Sequence, residues 1–405
     1  MKLLSIGQIG AEYGRTIQRF PLVILSAIVA SIVAIILIEF EELPQPPIPY
    51  SILLASILAL PLLTTLTLTA EKSKLPIAKQ WGLQALGVFL LIAYAFTVPT
   101  DLDSAPMIYL FRFFAFAVGL CLLFTVLSFR SKGQLNGFWQ FNKIVVFRVI
   151  LTGAFAAVLF AGLGLALAAL DNLFGMNIPD QRYAELWILI NGLFTVGYIL
   201  AGIPDDLDAL DSLPEYPKAL KVFAQYVLAP LVLVYFVILY AYIAKIIVTW
   251  NWPQGWVGRL ILGFSAAGIL ALFVLDPIKE LMGQSWIKRT ARWYYIILIP
   301  LVVVLFLALW RRISEYGITE GRYLGLAIGI WLAVMAFYFI FSKTKSIKFV
   351  PASLCILTFT ISFGSWGMFA VSERSQIARL QGLLASNEIL VDGSVQKAPA
   401  VVSAG

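Results

Sequence analysis

Charged side chains are scarce in this 405-residue sequence, so the few that cluster, or that sit among apolar neighbours, are where chemistry would have to reside. The densest acidic group is Asp205, Asp206, Asp208, Asp211 and Glu215. Carboxylates gathered in this way could hold Mg²⁺ or Ca²⁺, but their spacing is not that of an EF-hand loop. Acids directly after Pro204 also complement the N-terminus of a helix, and a solvated acidic face is the stronger reading. A second group, Arg311, Arg312, Glu315, Glu320 and Arg322, mixes both signs. Its adjacent arginines could grip a phosphate or carboxylate, or they could pair with Glu315 and Glu320 in a rigid turn. Arg112 lies alone between Tyr109 and Phe116. A charge inside hydrocarbon costs about 2.5–3.5 kcal/mol on insertion scales, so Arg112 either lines a polar path or snorkels to an interface near Asp101, Asp103 or Asp171. Glu39, Glu41 and Glu42 could supply the general base of a membrane transferase, but the loop that follows is short and rich in proline (Pro44, Pro46, Pro47, Pro49).

The sequence has no histidine and two cysteines, Cys121 and Cys355, each inside an apolar run. Zinc, haem and iron–sulfur centres need imidazole or thiolate ligands, and a Ser-His-Asp or Cys-His nucleophile needs imidazole. No catalytic residue, metal or cofactor is expected. Gly-rich nucleotide loops are also missing, and the glycines are scattered through apolar segments, where they permit close helix contact.

The elements that must position these residues follow from composition. Hydrophobic residues make up 61% of the chain and charged residues 13%. Soluble chains run at about 45–50% and ~25%, so this surplus must face lipid. Crossing about 30 Å of hydrocarbon takes roughly 20 apolar residues. Eleven runs qualify: 20–38, 51–70, 81–98, 108–129, 149–170, 186–202, 222–244, 256–275, 293–310, 323–341 and 349–371. The expected fold is an all-α polytopic transmembrane helix bundle of about 11 spans. Pro61, Pro230 and Pro300 lie within spans and predict kinks.

Orientation follows from the bases, because loops rich in Lys and Arg stay cytoplasmic. A cytoplasmic N-terminus places 19 of the 29 Lys and Arg inside and the C-terminus outside. Nine of eleven tryptophans fall at span boundaries, as interfacial indoles do, while Trp331 and Trp366 fall within spans and read as packing residues. Residues 1–19 read as an amphipathic segment on the inner surface, 20–371 as the membrane domain and 372–405 as a short external tail. Residues 133–147, where Phe138, Trp139 and Phe141 alternate with Gln140, Asn142 and Lys143, suit a second surface helix. In the tail, Ile377, Leu380 and Leu384 form a helical stripe, and 389–391 followed by Asp392-Gly393 reads as a strand entering a tight turn. Pro-x-Asp-Leu-Asp occurs at both 99–103 and 204–208, a pattern that ordinary helix capping explains better than an inverted repeat.

Several motifs resemble one family. They are Gly137-Phe138-Trp139-Gln140-Phe141-Asn142, Asp171-Asn172-Leu173-Phe174-Gly175, Trp250-Asn251-Trp252-Pro253, the stretch from Trp310 through Glu320 to Arg322-Tyr323, and Ile389-Leu390-Val391-Asp392-Gly393. Together they are similar to the bacterial membrane proteins catalogued as domain of unknown function 4153, over nearly the whole chain. The resemblance implies a multi-pass protein of the bacterial cytoplasmic (inner) membrane and supplies no activity or site residue. The functions to weigh are a permease-like protein handling lipid or small solutes, an envelope scaffold or sensor acting through protein partners, and a membrane-embedded transferase. The lipid bilayer is the expected partner; nucleic acid is not.

Overall fold

The computed structural model describes residues 6–40, 50–99, 107–129, 133–213, 216–250, 256–277, 285–342, 345–391 and 393–396. The chain is an all-α polytopic membrane protein, and it divides into two compact units, Met1–Leu213 and Pro214–Gly405. Among the described residues ten helices are long and apolar enough to cross a membrane, matching the first ten expected runs.

The first unit begins with α1 (Ile6–Arg19), which bends at Phe20 into α2 (Pro21–Glu39), where Pro21 occupies the first turn and so loses no hydrogen bond. It continues with α3 (Tyr50–Lys72), α4 (Ile77–Ala95), α5 (Ile108–Val126) and the 40-residue α6 (Leu135–Phe174). The last crossing runs through α7 (Gln181–Leu189), a π-helical turn (Ile190–Thr195) and α8 (Val196–Ala201). Small residues let these helices touch. A Cβ on Gly192 would stand 1.8 Å from Ser31 Oγ of α2, and one on Gly87 would stand 2.6 Å from Leu66 Cδ1 of α3. Gly175 stops α6 by adopting a left-handed conformation (φ 62°) with its N–H on Asp171 O, and the Asp171 carboxylate accepts the Ile178 N–H at 2.9 Å.

Residues 133–147 are not a surface helix. They open α6, and Phe138, Trp139, Gln140, Phe141 and Asn142 are all buried. Phe138 and Phe141 pack on Phe129, and Asn142 Nδ2 donates to Phe138 O at 2.8 Å. Their apolar face is covered by protein rather than by headgroups.

The second unit comprises α9 (Lys218–Phe223), a π-helical turn (Ala224–Leu228), α10 (Ala229–Thr249), α11 (Trp256–Leu275), α12 (Ser285–Tyr316), α13 (Glu320–Phe341), α14 (Phe349–Ser362) and α15 (Met368–Ser386). The π turn lies just before Pro230, whose missing N–H and ring disturb the preceding turn of helix. The core joins Ile261 of α11, Leu298, Leu301 and Leu305 of α12, and Leu332, Met335 and Ala336 of α13. Trp331 packs there as expected, with its Nε1–H on Ser353 Oγ at 3.0 Å. After α15, Leu390–Val391 pairs antiparallel with Ser394–Val395 in the expected hairpin, with Gly393 at φ 75°; Asp392 lies outside the described residues.

The eleventh run, 349–371, is not a single helix. The 14 residues of α14 rise about 21 Å, short of a bilayer's ~30 Å. The chain then breaks at 363–367, where Gly364 takes φ 74° and a Cβ on Gly367 would stand 2.8 Å from Phe363 O. Trp366 is therefore no packing residue of a span: it is exposed, its Nε1–H is donated to Thr360 O at 3.1 Å, and its carbonyl accepts from Tyr323 OH at 2.6 Å. Arg374 donates to Ser365 O. These bonds answer the carbonyls that the break exposes.

Gly268 gives the packing of the second unit a direct test. A methyl there would fall 2.2 Å from Cε2 of Tyr294, a buried ring whose hydroxyl donates to Ser265 O at 3.0 Å. Overpacking of this kind costs about 1–3 kcal/mol. Gly268→Ala is expected to lower the melting temperature in detergent by roughly 2–10 °C, followed by tryptophan fluorescence, whereas Gly263→Ala, which has open space, should leave it unchanged.

Candidate functional site

One cluster of polar groups in the first unit is built around Arg19. This side chain closes α1 and is only 16% exposed. Its Nε donates to Glu71 Oε1 at 3.0 Å, and its Nη2 to Glu71 Oε2 at 2.8 Å and Pro204 O at 2.9 Å. Its Nη1 donates to Ile203 O and to Asp205 Oδ1, both at 3.0 Å. All five guanidinium N–H groups are thus spent on joining α1, the end of α3 and the loop after α8, in the fork geometry that lysine lacks. Tyr13, six residues earlier on the helix, donates its hydroxyl to Leu193 O of the π turn at 2.6 Å. Burial pushes this phenol above its usual pKa range, so it keeps the proton it donates.

The acidic loop is part of the same construction. Asp206 Oδ1 accepts the backbone N–H groups of Asp208 (2.8 Å) and Ala209 (3.2 Å), capping the short helical turn that follows. Asp211 Oδ1 accepts the Gly137 N–H at 2.8 Å, and Asn136 Nδ2 holds the carbonyls of Asp211 and Leu213. Asp208 Oδ1 lies 3.2 Å from Gln134 Nε2 and 3.7 Å from Lys72 Nζ. The Lys72 ammonium is buried over the Phe129 ring, 3.6 Å from its centroid. The acids face different partners, and no group of three or more His, Cys, Asp or Glu able to hold a metal converges among the described residues. Glu215 lies outside the described residues.

Two clefts flank the Arg19–Phe20 bend. One, of about 300 Å³, is lined by Glu12, Arg15, Thr16 and Asp205 with the backbone of 200–204. The other, of about 200 Å³, has polar residues from α3 and α4 (Thr67, Gln80, Gln84), the Trp81 ring, and apolar walls from Phe20, Pro21, Leu22 and Val23.

In the second unit the mixed-charge motif is a helix–turn–helix clamped by α15. The turn 317–319 joins α12 to α13, with Gly317 at φ 70°. Arg322 Nη1 donates to Tyr316 O (3.1 Å) and Gly317 O (2.7 Å). From α15, Ser372 Oγ donates to Glu320 Oε1 at 2.7 Å, Ser375 Oγ accepts the Ile318 N–H at 2.8 Å, and Gln376 Nε2 donates to Ile318 O at 2.9 Å. Arg379 reaches Glu315 O, and the Arg379 and Arg322 guanidiniums lie 5.6 and 5.4 Å from the Tyr316 ring centroid. Arg311 Nε lies 3.6 Å from Glu315 Oε1, a surface pair one helical turn apart. Arg312 is half-buried and enters none of these contacts.

The sequence candidates therefore separate into distinct places. Asp205 bonds Arg19, while Asp206 and Asp208, on the same loop, face its backbone and Gln134 with Lys72. Glu315, Glu320 and Arg322 meet in the clamped turn, with Arg311 at its edge. Arg112 lies near the start of α5, half-buried, apart from both groups; Asp101 and Asp103 lie outside the described residues, and Asp171 accepts the Ile178 N–H. Glu39 pairs with Arg182 at 2.5 Å, Arg182 also holds Glu185, and Glu41 and Glu42 lie outside the described residues. The bases that organise the first site, Arg19 and Lys72, entered the sequence reading only as orientation signals.

Replacing Arg19 with lysine keeps the charge but leaves carbonyls of 203–204 and part of Glu71 unbonded. Arg19→Lys is expected to cost about 1–3 kcal/mol and to speed proteolysis within 204–213. Asp205→Asn, at a side chain 91% exposed, should cost less than about 0.5 kcal/mol.

Comparison with known proteins adds no activity. A curated, uncharacterized protein of Pasteurella multocida (strain Pm70) is 24% identical over 263 residues, which cover 62% of this chain and 43% of that protein. The chain therefore spans well under half of that relative. No solved structure matches. Residues 24–403 match the family described as Domain of unknown function (DUF4153), and the chain belongs to that family.

Proposed function

We propose that the protein is a permease-like component of the bacterial cytoplasmic membrane, with its N-terminus inside and its C-terminus outside, the broken run 349–371 completing the eleventh crossing, and that it handles a lipid or a small solute. The supporting observation is that two spanning helices carry π turns, at Ile190–Thr195 and Ala224–Leu228, and that a third apolar run is broken at 363–367. Discontinuous helices recur where membrane proteins expose backbone to cargo, and π turns favour functional positions. The first π turn also receives Tyr13, so α1 is placed to follow any change in that helix. A scaffold or sensor role draws on a different feature: Ile377 and Leu380 stand exposed on α15 beyond the apolar run.

Reconstitution in liposomes tests the permease reading. The wild type should speed exchange of a fluorescent phospholipid, or flux of a small solute, over protein-free vesicles. Gly192→Ala, which presses a methyl on the Ser31 hydroxyl at the π turn, should slow it severalfold at equal insertion. A correctly inserted wild type that moves neither contradicts the proposal.

A further inference from the structure

The geometry points to a lipid headgroup site in the 200 Å³ cleft beside Arg19, one that takes an ammonium-bearing phospholipid of the phosphatidylethanolamine class. The cleft has the division of surfaces that a lipid needs. Phe20, Pro21, Leu22 and Val23 carry its wall into the apolar α2, while Gln18, Gln80, Gln84 and Trp81 supply the polar part. This is the depth at which headgroup meets hydrocarbon, if the end rich in Lys and Arg marks the interface.

The head's chemistry follows from which groups are already bonded. Arg19 is the cation of the cleft, and its five donors are all engaged by Glu71, Asp205 and the carbonyls of 203 and 204. A phosphate thus finds no open guanidinium there, and an anionic head gains nothing from it. The orientation of the Gln84 amide is fixed. Its Nε2 donates to Leu63 O (3.2 Å) and to Thr67 Oγ1 (2.7 Å), and Thr67 in turn donates its own proton to Leu63 O (3.0 Å). Gln84 Oε1 is left buried with no hydrogen-bond partner among the described residues. An acceptor in that state seeks a donor, and an ammonium brings three. Gln80 is held the same way round, its Nε2 on Leu75 O at 2.8 Å. The Trp81 ring, 53% exposed on the cleft, adds a face that attracts a cation. Amide oxygens, an aromatic face and a lining whose one cation is fully bonded together select a head whose ammonium offsets its phosphate over one, such as phosphatidylglycerol, whose phosphate charge is uncompensated.

Binding can be measured without transport, which separates this site from the permease reading. Purified full-length protein is exposed to equimolar phosphatidylethanolamine and phosphatidylglycerol, and the lipid it retains is counted by native mass spectrometry. Retention of phosphatidylethanolamine should exceed that of phosphatidylglycerol about fivefold. Gln84→Leu, and Trp81→Leu at a side chain outside the core, should each erase the preference. Soluble phosphoethanolamine in excess should fail to displace the lipid, because the apolar wall holds its chains. Equal or reversed retention, a preference untouched by Trp81→Leu, or full displacement by phosphoethanolamine would each overturn the assignment. Retention without flux in liposomes would uphold this site and defeat the permease reading, and flux without the preference would do the reverse.

Discussion

Hydrocarbon offers no hydrogen bond, so every amide within it must be answered by the chain itself. That constraint fixes the shape of this protein. Among the described residues ten helices answer it through their own ladders. Where the ladder fails, a substitute is in place: Thr360, Ser365 and Trp366 carbonyls at the broken run are taken by Trp366, Arg374 and Tyr323. The same constraint drives charge to the ends of the helices. Two of the resulting constructions lie around Arg19 in the first unit and around the 317–319 turn in the second.

Both constructions use buried or half-buried polar groups to hold irregular backbone rather than to gather reactive side chains. Arg19 bridges α1, α3 and the acidic loop. Arg322 and α15 bridge the exit of α12 and the entry of α13. A charge held this way specifies geometry more than it adds stability, since desolvation offsets much of the Coulomb gain. The clefts beside Arg19 exist because α1 bends at Phe20, and the saturation of Arg19 sets what they can attract.

The placement of ten of the eleven expected runs was legible in the sequence because a run of some 20 apolar residues has one reading in lipid. Of the clamped turn only the Arg311–Glu315 pair was legible, as opposite charges one helical turn apart; Ser372, Ser375 and Gln376, which hold the turn, are remote in the sequence. Two readings failed for related reasons. The amphipathic pattern of 133–147 says that one face is apolar without saying what covers it, and protein covers it here. The hydropathy of 349–371 hid the break, although Gly364 and Gly367 marked it. The Arg19 assembly was invisible because 19, 71 and 205 share no local pattern, and chain topology alone unites them.

The most direct test of the account is which face of the membrane each end construction occupies. With Cys121 and Cys355 replaced by alanine, a single cysteine at Asp205 or at Ser386 is labelled in intact cells by a membrane-impermeant maleimide. The account predicts that Ser386→Cys is labelled from outside and Asp205→Cys only after the membrane is opened. Labelling of both from the same side would contradict it.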